Sequence, residues 1–199
     1  MFRFALIASL GAMLFATPAS AIDLNPLSAI KGMVEAAVED RSSEDIASDL
    51  AIKGKVTAQV IDQMGSDVIS INSDVYEQNV MLTGIVEKDE QKAQAGALTK
   101  GVENVKTVYN EILVIKDIDR RKGTAEGFVD DTVIESKINA LLLDAQGVNV
   151  TNFRWRSVDG HVFLFGRALN QTELSKAISV VKGIKNVTSV KSRVMIRPK

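Results

Sequence analysis

The chain repeats itself, and that repeat limits what it can fold into. Gly84 and Gly166 stand 82 residues apart, as do Gly101 and Gly183. The same offset pairs Asp49 with Asp131, Ile52 with Ile134, Lys55 with Lys137, Gly65 with Gly147, Leu82 with Leu164, Ala95 with Ala177 and Asn104 with Asn186. Residues 49 to 115 give 16 identities in 67 positions without one gap, against about one in sixteen for ordinary composition. Such a chain folds as two copies of one small module.

Each copy reads alike. In the second, Asp130 or Asp131 is placed to cap a helix, and Ile134, Ile138, Leu141, Leu142 and Ala145 recur at helical spacing before Gly147. Asp49 takes the same capping place in the first copy, before Ile52, Val56, Gln59 and Val60. Asp159-Gly160 suits the positive φ of a tight turn and predicts a hairpin whose returning strand holds 162–165, with 80–83 as its counterpart. Asn170 and Glu173 form a capping pair for a second helix that carries Leu174, Ala177, Ile178 and Val181. A last strand follows near 187–196, and near 105–114 in the first copy. The expected fold class is α+β: two tandem α-β-β-α-β domains, each with two helices on one face of a three-stranded mixed sheet. Their expected spans are 48–116 and 130–199, joined by a charged, glycine-containing linker at 117–129.

The first residues read as an export leader. Arg3 precedes an apolar run over 4–15, and Ala19-Ser20-Ala21 has the small-x-small pattern of a cleavage site. The run is shorter than the roughly 20 apolar residues of a membrane span, so cleavage after Ala21 and a soluble, exported chain are expected. Residues 22–47 are expected to form a helical segment, opened by Asn25-Pro26, that docks on a domain. The chain has no Cys, which excludes disulfides, thiolate metal sites, a cysteine nucleophile and an acylated N-terminal cysteine. The single His161 follows the hairpin turn with no second His beside it. No phosphate loop, Ser/His/Asp set or metal-ligand spacing occurs. The reading is therefore non-enzymatic, with no catalytic residue, metal or cofactor, and the net charge of -1 argues against nucleic acid as a partner.

The segments 159–166 (Asp-Gly-His-Val-Phe-Leu-Phe-Gly) and 183–187 (Gly-Ile-Lys-Asn-Val), with 80–84 and 101–105 in the first copy, resemble the BON domain, named for bacterial osmotic-shock and nodulation proteins. The arrangement of leader and two domains is similar to periplasmic dual-BON proteins of Gram-negative bacteria, among them outer-membrane phospholipid-binding lipoproteins. The resemblance implies a periplasmic, peripheral role in envelope maintenance or phospholipid-surface binding. It also leaves open a protein-binding adaptor or stress-responsive chaperone.

Strand alternation separates the two faces of each sheet. In the second copy Phe153, Trp155, Val162, Leu164, Val190, Val194 and Ile196 are expected beneath the helices. Arg154, Arg156, Phe163, Phe165, Lys191, Arg193, Met195 and Arg197 fall on the other face, which is basic with interleaved apolar groups. The matching face of the first copy shows Asp74, Met81, Tyr109, Glu111, Leu113 and Ile115. Residues 130–199 hold 11 basic and 6 acidic side chains, whereas 22–129 hold 12 and 19. Three readings of the basic face stand side by side: it packs on the acidic face of the first copy, it meets phosphates or other anionic envelope groups, or it is simply solvated. Should the sheets meet, the helices turn outward. Val133, Lys137 and Leu143 on the first helix of the second copy then become the candidate lipid or anionic surface.

Overall fold

Both copies start their first helix on a side chain that satisfies a first-turn N–H group. The computed structural model describes residues 39–65, 71–116 and 130–198, so the expected leader, most of the N-terminal segment and the linker lie outside the described residues. Ser42 accepts a hydrogen bond from the Asp45 N–H and opens α1 (Ser43–Met64). Asp130 accepts one from the Val133 N–H and opens α3 (Asp131–Asp144). In the first copy α1 leads to β1 (Asn72–Tyr76), β2 (Asn79–Thr83), β3 (Ile85–Val86), α2 (Asp89–Lys100), β4 (Thr107–Asn110) and β5 (Leu113–Val114). In the second, α3 leads to β6 (Phe153–Val158), β7 (His161–Ala168), α4 (Gln171–Lys182) and β8 (Ser189–Ile196). This is the expected α-β-β-α-β order, twice, with the second and last strands of the first copy each broken in two.

Each three-stranded sheet is mixed. β6 pairs antiparallel with β7 (Trp155 opposite Leu164), and β7 pairs parallel with β8 (Phe165 opposite Arg193). The first copy has the same β1-β2-β4 order, and beyond Gly84 its returning strand continues as β3 beside β5. A parallel pair needs a crossover, which α2 and α4 provide. At Gly166, with φ 106°, a Cβ would lie 2.1 Å from the Asn152 carbonyl oxygen. That close backbone approach requires glycine at 166, and its counterpart Gly84 shares the positive φ, at 128°.

The repeated aspartates correct the expectation that they cap helices. Asp49 lies inside α1, and Asp131 is the first residue of α3 rather than its cap. Both carboxylates instead reach the hairpin. Asp49 accepts from the N–H groups of Glu77 and Gln78 at 2.7 Å each. Asp131 accepts from Asp159 at 2.7 Å, from Gly160 at 3.0 Å and from the Ser157 hydroxyl at 2.5 Å. The turn residues all have left-handed φ, between 50° and 73°, the conformation of a two-residue hairpin. In the first copy neither turn residue is glycine, and the Asp49 carboxylate holds that conformation in place.

Each copy has a core between its helices and its sheet. Ile52, Val56, Val80 and Leu82 anchor the first; Ile134, Ile138, Phe153, Val162 and Leu164 anchor the second. Trp155, Val190 and Val194 pack against the second core while partly buried. Ile196, expected there, stands 40% exposed at the strand end, and Leu141 is 45% exposed rather than part of the core stripe.

Candidate functional site

The outer faces of the two sheets lie against each other. Tyr76, Met81, Val158, Phe163 and Phe165 form a third buried cluster, with Ile85, Tyr109, Leu113 and Met195 packed on it. Phe165 is the hub, with Tyr76 and Tyr109 edge-on to it at 6.4 and 6.0 Å, an arrangement favoured by the ring quadrupoles. Phe163 and Phe165 are therefore core of the paired sheets rather than lipid-facing groups.

Ion pairs flank this apolar centre. The Arg156 guanidinium forks onto the Asp74 carboxylate at 2.9 and 3.1 Å, a bidentate geometry that adds strength and direction. Glu135 lies 3.8 Å from the same guanidinium and Lys53 3.7 Å from Asp74. Burial disfavours the Arg156 cation, but the charge and hydrogen bonds of Asp74 outweigh it and push its pKa up. On the other margin Glu111 accepts from Lys191 at 2.6 Å and from Arg193 at 2.7 Å. Burial raises the Glu111 carboxyl, and those two partners more than reverse it, holding it below its ordinary value. Arg193 also lies over the Tyr109 ring at 5.3 Å. Asp74 with Arg156 and Glu111 with Arg193 are pairs separated by the repeat offset of 82. Equivalent positions of the two copies thus meet each other, as in a two-fold dimer.

A short strap closes one end of the sandwich. Glu39 binds Arg154 at 3.0 Å and Arg41 at 2.5 Å. The Asp40 carboxylate lies 3.4 Å from Arg167 and 3.1 Å from Arg197, and Arg41 pairs with the buried Asp49. Beneath the strap lies the fully buried Tyr76, with the Arg41 guanidinium 4.2 Å from its ring centroid. Burial pushes the Tyr76 hydroxyl up to about 12. The strap contacts both copies. Arg154 and Arg197, expected on an open basic face, are engaged by it.

With the sheets paired, the helices face outward. Val133 and Leu143 are 44% and 62% exposed, and Lys137 is exposed between them in sequence. They do not share one patch. Val133, Lys137 and Leu141 follow each other at i, i+4 and i+8, whereas Leu143 continues the row of Glu135 and Asn139. That second row borders a groove of about 360 Å³ with Arg154, Trp155 and Arg156 of β6 as its other wall. Leu141 was missed in the sequence because its spacing also fits the core stripe. The role of Asp40 and Arg167 carried no sequence signal, since their contact spans 127 positions.

The residues of the repeat also mark the family. A BON domain model matches residues 48–116 and again 130–198. A protein of Anaplasma centrale, described as an uncharacterized protein in the gshII 5′ region, is 33% identical over 128 residues, 64% of this chain and 82% of that protein. Osmotically-inducible protein Y of Escherichia coli (strain K12) is 34% identical over 124 residues, 62% of this chain and 59% of its own length. Outer membrane lipoprotein DolP of Haemophilus influenzae is 32% identical over 123 residues, 60% of this chain and 61% of its own. The match therefore spans about three fifths of the latter two relatives. A C-terminal domain of CdsD, from the type III secretion system of Chlamydia trachomatis, superposes with a TM-score of 0.31 at 13% identity, covering 75% of this chain and 67% of that one. With two matches in the register of the internal repeat, the chain belongs to the BON domain family and carries two copies of that module.

Proposed function

We propose that this protein is exported to the periplasm and binds phospholipid or another anionic envelope surface peripherally, through the outward shoulder of α3. The observation that carries this reading is the sheet pairing, which consumes the aromatic face and leaves Val133 and Leu141 exposed beside Lys137. Apolar side chains next to a cation suit a headgroup boundary. One lysine near an anionic surface contributes about 1 kcal/mol, and neither apolar group is an aromatic anchor, so the affinity is weak and falls as salt screens the charge. The outer-membrane lipoprotein among the relatives supports this location. The osmotically inducible relative supports a role under envelope stress, where the alternative reading is an adaptor that binds envelope proteins through the same shoulder.

Flotation with phosphatidylglycerol vesicles tests the reading. Val133→Asp with Lys137→Glu abolishes binding, whereas Arg154→Glu with Arg193→Glu disturbs the sheet pairing and leaves the helix surface intact. Loss confined to the second pair of changes would move the site to the sheet. No binding by the unaltered chain would favour the adaptor, to be sought by crosslinking in envelope extract. Mass spectrometry of the exported chain is expected to find Ile22 at its N-terminus.

A further inference from the structure

Among the described residues, three buried polar side-chain atoms without a hydrogen-bond partner gather at the strap: the Tyr76 hydroxyl, Nε of Arg167 and Nδ2 of Asn152. Their neighbours tie them together. The Asp40 N–H donates to Oδ1 of Asn152 at 3.0 Å, Arg167 donates to the Asp40 carbonyl at 3.1 Å, and the charges of Arg41 and Arg167 both act on Tyr76. Tyr76 and Asn152 are fully buried. All three atoms are donors. Buried donors are normally satisfied, and donors in excess beside guanidinium groups suit a ligand rich in acceptors and negative charge.

We propose that Arg154, Arg167 and Arg197, with Tyr76 and Asn152, form a site for a phosphate-type oxyanion, which Glu39 and Asp40 of the strap occupy as a competing internal anion. The two neighbouring carboxylates stand where phosphate oxygens would. Glu39 takes Arg154, and Asp40 takes Arg167 and Arg197. When the strap lifts, Arg41 leaves with it. Three guanidiniums then remain with two carboxylates, Glu77, which binds Arg167 at 2.5 Å, and Asp49, which loses Arg41, a residual positive charge that favours an incoming anion. The oxyanion comes either as free phosphate or as the phosphodiester of a lipid headgroup. The site lies at the strap end of the paired sheets, shares no residue with the Val133, Lys137 and Leu141 row of α3, and does not depend on the function proposed for that row.

The test uses the full chain in phosphate-free buffer, titrated with inorganic phosphate and followed by calorimetry and 31P line width. Glu39→Gln with Asp40→Asn is expected to bind phosphate at least tenfold more tightly than the unaltered protein. Arg167→Met or Arg197→Met in that background removes the gain. Asp40→Asn alone, the milder change, gives at least a threefold gain and serves if the double variant fails to fold. Phosphatidylglycerol vesicles compared with phosphatidylcholine separate the sources: a gain in vesicle binding without a gain for inorganic phosphate assigns the headgroup, and the converse assigns the free anion. Equal binding by unaltered and strap-neutral proteins for both probes, or a gain that survives the arginine changes, overturns the proposal. Val133→Asp with Lys137→Glu leaves phosphate binding unchanged, so failure of the α3 reading is distinguishable from failure of this one.

Discussion

Asp74 and Glu111 of the first copy occupy the same places in the fold as Arg156 and Arg193 of the second, and across the interface each acid meets its own counterpart. A module that paired with an identical copy through this face would set like charge against like, which is costly when partly buried. Reversing the sign at two positions in one copy turns that repulsion into attraction. Each sheet is thereby directed toward the other copy rather than toward its own kind. The apolar centre differs less, since Met81 and Phe163 are both buried at equivalent places. Apolar area holds the copies together, and the charges select which copies pair.

The largest effect is expected from Arg156→Glu. It removes the guanidinium from Asp74, leaves Lys53 at 3.7 Å as that carboxylate's remaining cation, and sets three carboxylates together with Glu135, at a cost of about 3–5 kcal/mol. Adding Asp74→Arg in the same chain is expected to restore much of the loss, as measured by denaturant unfolding. A failure of the double change to recover stability would show that the charges do not act as a pair.

The hairpin clamps sharpen the comparison next. Asp131→Ala is expected to cost about 1.5–3 kcal/mol, the value of hydrogen bonds to a charged acceptor. Asp49→Ala is expected to cost more, because it also leaves the buried Arg41 without one of its two carboxylates. Equal losses would mean that the strap adds nothing to the first clamp.

A pH series isolates the other margin. The folded value of Glu111 is lowered, so its contribution is fully present above the ordinary glutamate value of about 4.3. That contribution is lost as pH falls through the lower folded value. Glu111→Gln is expected to melt below the unaltered chain at pH 7, with the gap closing at acid pH. Tyr76 acts at the opposite end. Its folded value of about 12 exceeds the unfolded value of about 10, so stability falls as pH rises between them, and Tyr76→Phe is expected to flatten that decline.

The smallest effect concerns the space beneath the helices. Where the second copy has Trp155, the first has Ser73, and a largely apolar cavity of about 360 Å³ lies among Val56, Val60, Ile71, Ser73 and Leu82. Ser73→Val is expected to stabilise the protein by roughly 0.5–1 kcal/mol, in the range of cavity-filling changes, and its thermal midpoint reads this directly.

Much of the fold was legible because local physics repeats with the sequence. Gly84 and Gly166 answer to a positive φ at the same place in each copy, and Ile134, Ile138 and Leu142 to the helical period. The aspartates show where that reading fails. Asp49 and Asp131 look like caps because they precede apolar runs, yet their carboxylates are used by turn N–H groups 28 and 29 positions away. Spacing along a helix reveals which side it buries, but not which distant donor a carboxylate will find.

The amino-acid sequence by itself determined the two-copy architecture, the mixed three-stranded sheets and the opposite charges of the two faces, since these follow from period, composition and the repeat, and its segments 159–166 and 183–187 carried the family resemblance. The tertiary structure alone decided what those faces do. Alternation places Phe163, Phe165 and Arg156 on one side of a strand whether that side meets lipid, solvent or another sheet. Only the approach of the copies buries the aromatics, pairs the charges and brings Glu39 and Asp40 onto Arg154, Arg167 and Arg197. Such contacts join residues about 80 to 160 positions apart, a separation over which no local pattern carries information and only the packed chain does.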